Sequence, residues 1–347
     1  MNQSNLDKLL IQNNEGINNA VKTVSNFQKG KINPIQTSYW FLNMICLGGL
    51  LPDLIISILG RPGHGKSFIA HILRNDILAD KARNVGVLLY NWEMSWFALL
   101  LVQLKRKLHM SFKEILNLKP SAEEISKMRE VADEFRDDRL TTVGTPLTPE
   151  EFDYLTRKYI EDNLDKEQIF IIVDHVGITV GSNKLDSIFR LFESMASMKL
   201  DYPGKLTFIP LGQLNREIER LWRTKDMNPI NLRVTSEYIY GADAIQQFSD
   251  VIMASMIPQN ADMEKYCTVN SKRYPHLVEH AVDEDADGTK EYIRLKGTNR
   301  VYYDFLKVRL MDGDPTLYCE VLNQEQEELV KALAEKERDY TDDGVDF

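Results

Sequence analysis

Cysteine is scarce in this sequence. Its three residues, Cys46, Cys267 and Cys319, lie far apart and show no metal-ligand spacing. That excludes a disulfide-stapled scaffold and a zinc-ribbon module, and leaves reduced, buried thiols as the reading. Long apolar runs are also missing. None reaches the roughly 18 residues of a membrane span, and the start, Met1 to Asn5, lacks the basic-then-apolar form of a signal peptide. The expectation is a cytoplasmic chain without a membrane partner. Positive charge is in deficit, with 42 basic against 52 acidic residues and a net charge of −10. A protein that coats nucleic acid with its whole surface is thereby excluded. The deficit is uneven. From Leu322 to Phe347 nine acids face three bases, so six of the ten excess negatives lie in the tail. The mildly acidic body can still line one channel with cations. No internal repeat is visible.

Against these absences stands one stretch, Gly60-Arg61-Pro62-Gly63-His64-Gly65-Lys66-Ser67. A β-type apolar run, Leu54 to Leu59, enters it and a helix-type run, Phe68 to Leu73, leaves it. This is the phosphate-binding P-loop pattern in the strand–loop–helix setting it requires. Its glycines let backbone N–H groups turn toward phosphate oxygens, and the following helix points its positive end at the same anion. Lys66 is expected on the β- and γ-phosphates of ATP and Ser67 on Mg²⁺.

Before the loop, residues 1–36 read as an arm. Leu6, Leu9, Leu10, Ile17, Val21 and Val24 form a helical stripe, broken at Gly16. It packs either on its own core or on a neighbouring subunit. Beyond the loop, Val85 to Asn91, Leu140 to Val143, Ile169 to Asp174, Leu206 to Leu211 and Val251 to Ala254 read as strands. Helices run from about Trp96 to His109, from Ser121, where Glu124 completes a capping box, and from Thr148-Pro149, where Glu151 does the same. Ile188, Leu191, Phe192 and Met195 mark one face of another. Past Pro258 a polar stretch to about Lys290 reads as a surface loop or hairpin. Short strands near Tyr292–Leu295, Tyr302–Leu310 and Leu317–Val321 look antiparallel. Alternating strands and helices predict an α/β fold, a mostly parallel sheet with helices on both faces. Ligands then bind beyond the carboxyl ends of the strands, where the P-loop, Glu93, Asp174 and Gln213 all fall.

Asp174 ends a buried strand and is placed to hold Mg²⁺. The residue after it is His175 rather than an acid, so the base that activates water is sought in Glu93, on the adjacent strand end. His175 reads as a packing or hydrogen-bonding residue. Gln213 offers an amide that can sense the γ-phosphate. The segment after it carries Arg216, Arg220, Arg223, Lys225 and Arg233 with Trp222 among them, the mixture that suits single-stranded nucleic acid, worth roughly 1–3 kcal/mol per stacked base. A solvated amphipathic helix is the competing reading. Lys184, in the loop region after Asp174, is the second choice for a DNA contact. Lys296 and Arg300 are candidates for a cation lent by a neighbouring subunit, a device worth about 10³–10⁵ in rate.

Together these motifs resemble the RecA-like hexameric replicative helicases of the DnaB type, phage members included. The P-loop is similar to theirs, as are Asn91-Trp92-Glu93-Met94-Ser95, Ile172-Val173-Asp174-His175 and Gly212-Gln213-Leu214-Asn215-Arg216. Ile245 to Asp250 resembles their channel-facing segment, and Lys296-Gly297-Thr298-Asn299-Arg300 their Lys-x-Arg-Asn finger, with Thr298 where the family has arginine and Arg300 in a shifted register. The resemblance covers about residues 45–320. It implies a RecA-like core over 37–321, a homo-hexameric ring with ATP between subunits, single-stranded DNA in the central hole, 5′-to-3′ movement and duplex unwinding. It also implies a bacterial or phage-infected setting, no N-terminal scaffold domain, and priming and loading that need other proteins. Residues 322–347 read as a helix followed by an acidic tip, Asp339 to Phe347, suited to docking on a primase, a polymerase or another replisome protein. The alternatives are a RecA-like recombinase and a non-motor, DNA-associated regulatory ATPase.

Overall fold

A computed structural model describes residues 33–108, 110–117, 119–223, 233–282, 291–309 and 317–322, together with 18, 21, 22, 24–26 and 28–30. Most of the arm stripe, Lys225 and the whole acidic tail lie outside the described residues. Within the arm, residues 21, 22, 24–26 and 28 are helical, and Val21 and Val24 are exposed.

The apolar runs become strands because both of their faces are covered. β1 (Leu54–Gly60), β2 (Val85–Asn91) and β4 (Gln168–Asp174) are buried at every residue, as parallel strands between two helical layers must be. Side chains alternate between the layers: Ile169, Ile171 and Val173 enter one core, Phe170 and Ile172 the other. With β3 (Leu140–Val143), β5 (Leu206–Gln213), β6 (Val251–Met256), β9 (Arg300–Val308) and β10 (Leu317–Val321), they form one sheet in the order β10-β9-β6-β1-β5-β4-β2-β3. From β6 to β3 the neighbours are parallel. β9 and β10 are antiparallel, as expected.

One face of the sheet is covered by α1 (Trp40–Ile45) and α2 (Lys66–Ala79), with α3 (Trp96–Leu108) reaching it through Val102. A satellite cluster joins α3 to α4 (Phe112–Asn117) and α5 (Ala122–Glu134) through Leu104, Leu108, Ile115 and Val131. The opposite face carries α6 (Pro149–Asp162), α7 (Lys184–Asp201), α8 (Glu217–Arg223) and α9 (Ala242–Phe248). The Ser121–Glu124 and Thr148–Glu151 capping boxes both form.

Three short helices, α1, α4 and α9, were not read from the sequence. α1 is six residues long, too short to show a period, and its N-cap makes no side-chain bond. Tertiary packing supports it instead: Phe41 stacks on Tyr318 of β10 at 5.2 Å between ring centroids. For the polar stretch after Pro258, the hairpin alternative holds in part. β7 (Lys265–Asn270) pairs antiparallel with β8 (Tyr292–Lys296) in a separate two-stranded sheet.

Candidate nucleotide site

Strand register brings the expected residues to one edge of the sheet. Gly60, at the end of β1, pairs with Gln213, at the end of β5, and Asn91 of β2 pairs with Asp174 of β4. The chain leaves β1 through the P-loop, where Gly65 caps α2 in the left-handed region at φ +88°. A side chain at Gly60 would meet Ser255 Oγ at 3.0 Å and Lys66 Cγ at 3.1 Å, so the loop closes tightly on its own lysine. Lys66 is 3% exposed, and its ammonium donates to the Arg61 carbonyl at 3.2 Å.

Arg61 and His64 of the loop are held by the protein. Arg61 Nε lies 2.6 Å from Glu219 Oε1 on α8, and Nη1 donates to the Leu214 carbonyl at 2.9 Å. His64 Nδ1 accepts from the Ile257 N–H at 3.1 Å, and its ring sits 5.2 Å from that of Trp222. Neither side chain is free to turn into the loop, which leaves its backbone amides and Lys66 facing the space the loop encloses.

Ser67 and Asp174 line one small cavity of about 40 Å³, together with His71, Arg74, Asn91, Met94 and Gln103. Asp174 is 6% exposed. No cluster of three or more His, Cys, Asp or Glu suited to a metal exists among the described residues. One hydroxyl and one carboxylate are nevertheless a donor set that fits Mg²⁺, which keeps water and phosphate oxygens as its other ligands.

The loop after β2 is braced at both ends. The Trp92 N–H donates to the Asp174 carbonyl at 2.8 Å, and Asn91 Nδ2 donates to the Met94 carbonyl at 2.9 Å. Glu93 is carried between these bonds, and its Oε2 is buried without a hydrogen-bond partner. A carboxylate oxygen held in that condition is suited to accept a proton from water.

His175 lies within electrostatic reach of Glu93 and Lys66. It is 6% exposed, and burial lowers its pKa from 6.5 to about 4. The Glu93 carboxylate opposes that shift, while the Lys66 and Lys184 cations reinforce it. The imidazole is therefore neutral near pH 7. It accepts the Gly177 N–H on Nδ1 at 3.1 Å and lies 3.2 Å from the Gln213 amide through Nε2. The sequence suggested a hydrogen-bonding residue here but not its partner.

The expected DNA-contact residues divide. Arg216 and Arg220 are exposed, the first just before α8 and the second within it. Arg223 ends α8, with its side chain outside the described residues, as is all of Lys225. Arg233 is corrected: it binds Asp304 through Nε and Nη2 at 2.8 and 2.6 Å and donates to Tyr274 Oη at 3.2 Å. Asp304 is 0% exposed, so the arginine is held to neutralise a buried carboxylate. Trp222 is corrected too: at 5% exposed it packs into the core beside His64 and offers no stacking face. Lys184 donates to the Thr179 carbonyl at 2.7 Å, bracing the loop after β4. Lys296 and Arg300 flank the β8–β9 turn, and Arg300 donates to His280 Nδ1 at 3.2 Å and to the Asn299 carbonyl at 3.1 Å. A wider cleft of about 900 Å³ opens beside Arg233, Lys272, Tyr274 and Tyr292, with no P-loop residue in its lining.

Comparison with known proteins agrees with this geometry. No curated protein sequence matches the chain. A solved structure described as a DnaB-like replicative helicase and its interactions with primase superposes with a TM-score of 0.60 at 14% identity, over 88% of this chain and 64% of that one. This chain therefore spans less than two thirds of that relative's length. A second solved structure, described as an ATPase domain, superposes with a TM-score of 0.61 at 15% identity, over 89% of this chain and 96% of that one. At such identities the likeness establishes the fold alone, a RecA-like α/β core. The family model for the DnaB-like helicase C-terminal domain matches residues 34–300, a span that holds every P-loop, strand-end and β8–β9 residue described above, and the chain belongs to that family.

Proposed function

We propose that this chain is an ATP-driven DNA helicase motor that works as a homo-hexameric ring on single-stranded DNA. The observation that carries the reading is the gathering of Lys66, Ser67, Glu93, Asp174 and Gln213 at the carboxyl ends of four strands, beside one buried imidazole. In this reading the P-loop amides and Lys66 hold the triphosphate. Ser67 and Asp174 hold Mg²⁺, which supplies charge neutralisation when bound. Glu93 orients and deprotonates water, and Gln213 senses the γ-phosphate. Arg300 or Lys296, lent by the neighbouring protomer, balances charge on the leaving phosphate.

Arg216 and Arg220 follow Gln213 directly and are assigned to the DNA backbone, with Arg223 and Lys225 as further candidates. Movement 5′-to-3′, an arm over residues 1–36 that links subunits, and a tail over 322–347 that docks on a polymerase or other replisome protein complete the proposal. Primase contact is proposed by likeness to the DnaB-like helicase above. The chain's setting is taken to be a bacterial or phage-infected cytoplasm.

The test is ATP hydrolysis with and without single-stranded DNA, joined to particle imaging. Stimulation by DNA and closed six-fold rings are expected. Open filaments would favour a recombinase, and hydrolysis indifferent to DNA a regulatory ATPase. Glu93→Gln should bind ATP and lose on the order of 10²–10⁴ in turnover. Full turnover by that variant would remove Glu93 as the base.

A further inference from the structure

His175 follows the proposed Mg²⁺ aspartate, yet its ring makes a specific pair of contacts. Nδ1 accepts the Gly177 N–H at 3.1 Å. A ring nitrogen that accepts carries no proton, so the single proton of the neutral imidazole is on Nε2. Nε2 lies 3.2 Å from the side-chain nitrogen of Gln213. A donor there is satisfied only by the amide oxygen, because an NH₂ group facing an N–H would set two donors against each other. Turning the amide by half a turn about its terminal bond resolves the clash: Oε1 then faces His175 and the NH₂ points the other way. Gln213 lies in register beside Gly60, the first residue of the P-loop, so that NH₂ is available to an anion held by the loop.

Gly177 belongs to the same device. A side-chain carbon there would stand 2.9 Å from His175 Cε1 and 3.0 Å from Nδ1. Only glycine lets the backbone N–H come close enough to fix the tautomer.

We propose that His175 is a positioning residue for the γ-phosphate sensor: held by the Gly177 N–H, it locks the Gln213 amide with its NH₂ toward the terminal phosphate. The proposal rests on the reading of Gln213 as that sensor. It predicts that His175 governs how well the protein tells ATP from ADP, rather than how well it binds nucleotide at all.

The test measures the affinity of the full chain for ADP and for a non-hydrolysable ATP analogue, both with Mg²⁺. The variants are His175→Gln, His175→Asn, Gly177→Ala and Gln213→Ala. A glutamine amide can place an N–H where Nε2 stands, whereas an asparagine amide reaches only the Nδ1 position. His175→Gln should keep the wild-type preference for the ATP analogue. His175→Asn and Gly177→Ala should lower it severalfold with ADP affinity unchanged. Gln213→Ala should lower it by about tenfold, and His175→Asn added to Gln213→Ala should change nothing further. Loss of ADP and analogue affinity in equal measure, or effects that add in the double variant, would overturn the proposal and leave His175 a packing residue. Unchanged preference in Gln213→Ala would overturn the sensor reading, and this inference with it. Unchanged preference in His175→Asn alone would overturn only the inference.

Discussion

Asp304 has no access to solvent and accepts hydrogen bonds from Arg233 and from Tyr266. Removing one partner of such a pair leaves a charge uncompensated in a low-dielectric interior, which costs far more than the pair contributes when complete. Arg233→Ala is expected to lower the unfolding free energy by about 3 kcal/mol, read from urea melts. Arg216→Ala should stay within about 0.5 kcal/mol of wild type. It should instead weaken single-stranded DNA binding and flatten its salt dependence. Similar effects of the two variants on stability would undo the distinction between them. Glu320 supplies a second test at this scale. Burial raises its pKa from 4.5 to about 7, against a lowering hydrogen bond from Tyr303. The folded state then holds a proton that the unfolded chain has released. This group's contribution is complete below about pH 4.5 and is lost as pH rises through 7. Glu320→Gln should accordingly raise the melting temperature more at pH 8 than at pH 5. An equal shift at both values would contradict the burial argument.

Among elements, α8 lies between the proposed nucleotide and DNA contacts. It carries exposed Arg220 and follows Arg216, and it is joined to the P-loop by the Arg61–Glu219 ion pair and by Trp222 against His64. A shift of the loop on nucleotide exchange would be felt by α8 through these two contacts. Glu219→Gln is therefore expected to retain hydrolysis without DNA and to lose most of its stimulation by single-stranded DNA, measured by phosphate release. Full stimulation would show that the coupling runs elsewhere. The elements also differ in how openly the sequence announces them. α5 and α6 begin at capping boxes, which are local chemistry and can be read from four residues. α1 and β7 carry no such signal. α1 forms because Phe41, Leu42 and Ile45 find a core built partly by β9 and β10, and β7 because β8 supplies its hydrogen bonds.

For the whole molecule, the proposed ring makes each site depend on two chains. A mixture of Lys66→Ala and Arg300→Ala proteins provides the test. The first lacks the phosphate lysine and the second the lent cation, so each alone should be nearly inactive. Where an Arg300→Ala site meets the cation of a Lys66→Ala neighbour, both groups are intact, and mixing should restore part of the hydrolysis. No recovery from Arg300→Ala, with recovery from Lys296→Ala, would transfer the role to Lys296. The acidic tail is tested separately: deletion of residues 339–347 should leave hydrolysis unchanged and weaken binding to a polymerase or other replisome partner.

The sequence by itself determined the P-loop, the buried strands, the two capping-box helix starts and the strand-end residues Glu93, Asp174 and Gln213. Each is a short-range pattern whose physical cause lies within a few neighbouring positions. Only the tertiary structure decided what the charged and polar side chains meet. Arg61 finds Glu219 across 158 positions, Arg233 finds Asp304 across 71, and His175 finds Gln213 across 38. An arginine reads alike in sequence whether it will face a phosphate or a buried carboxylate. Its fate is set by which acid the folded chain has removed from water, and that is known only once the strands are paired.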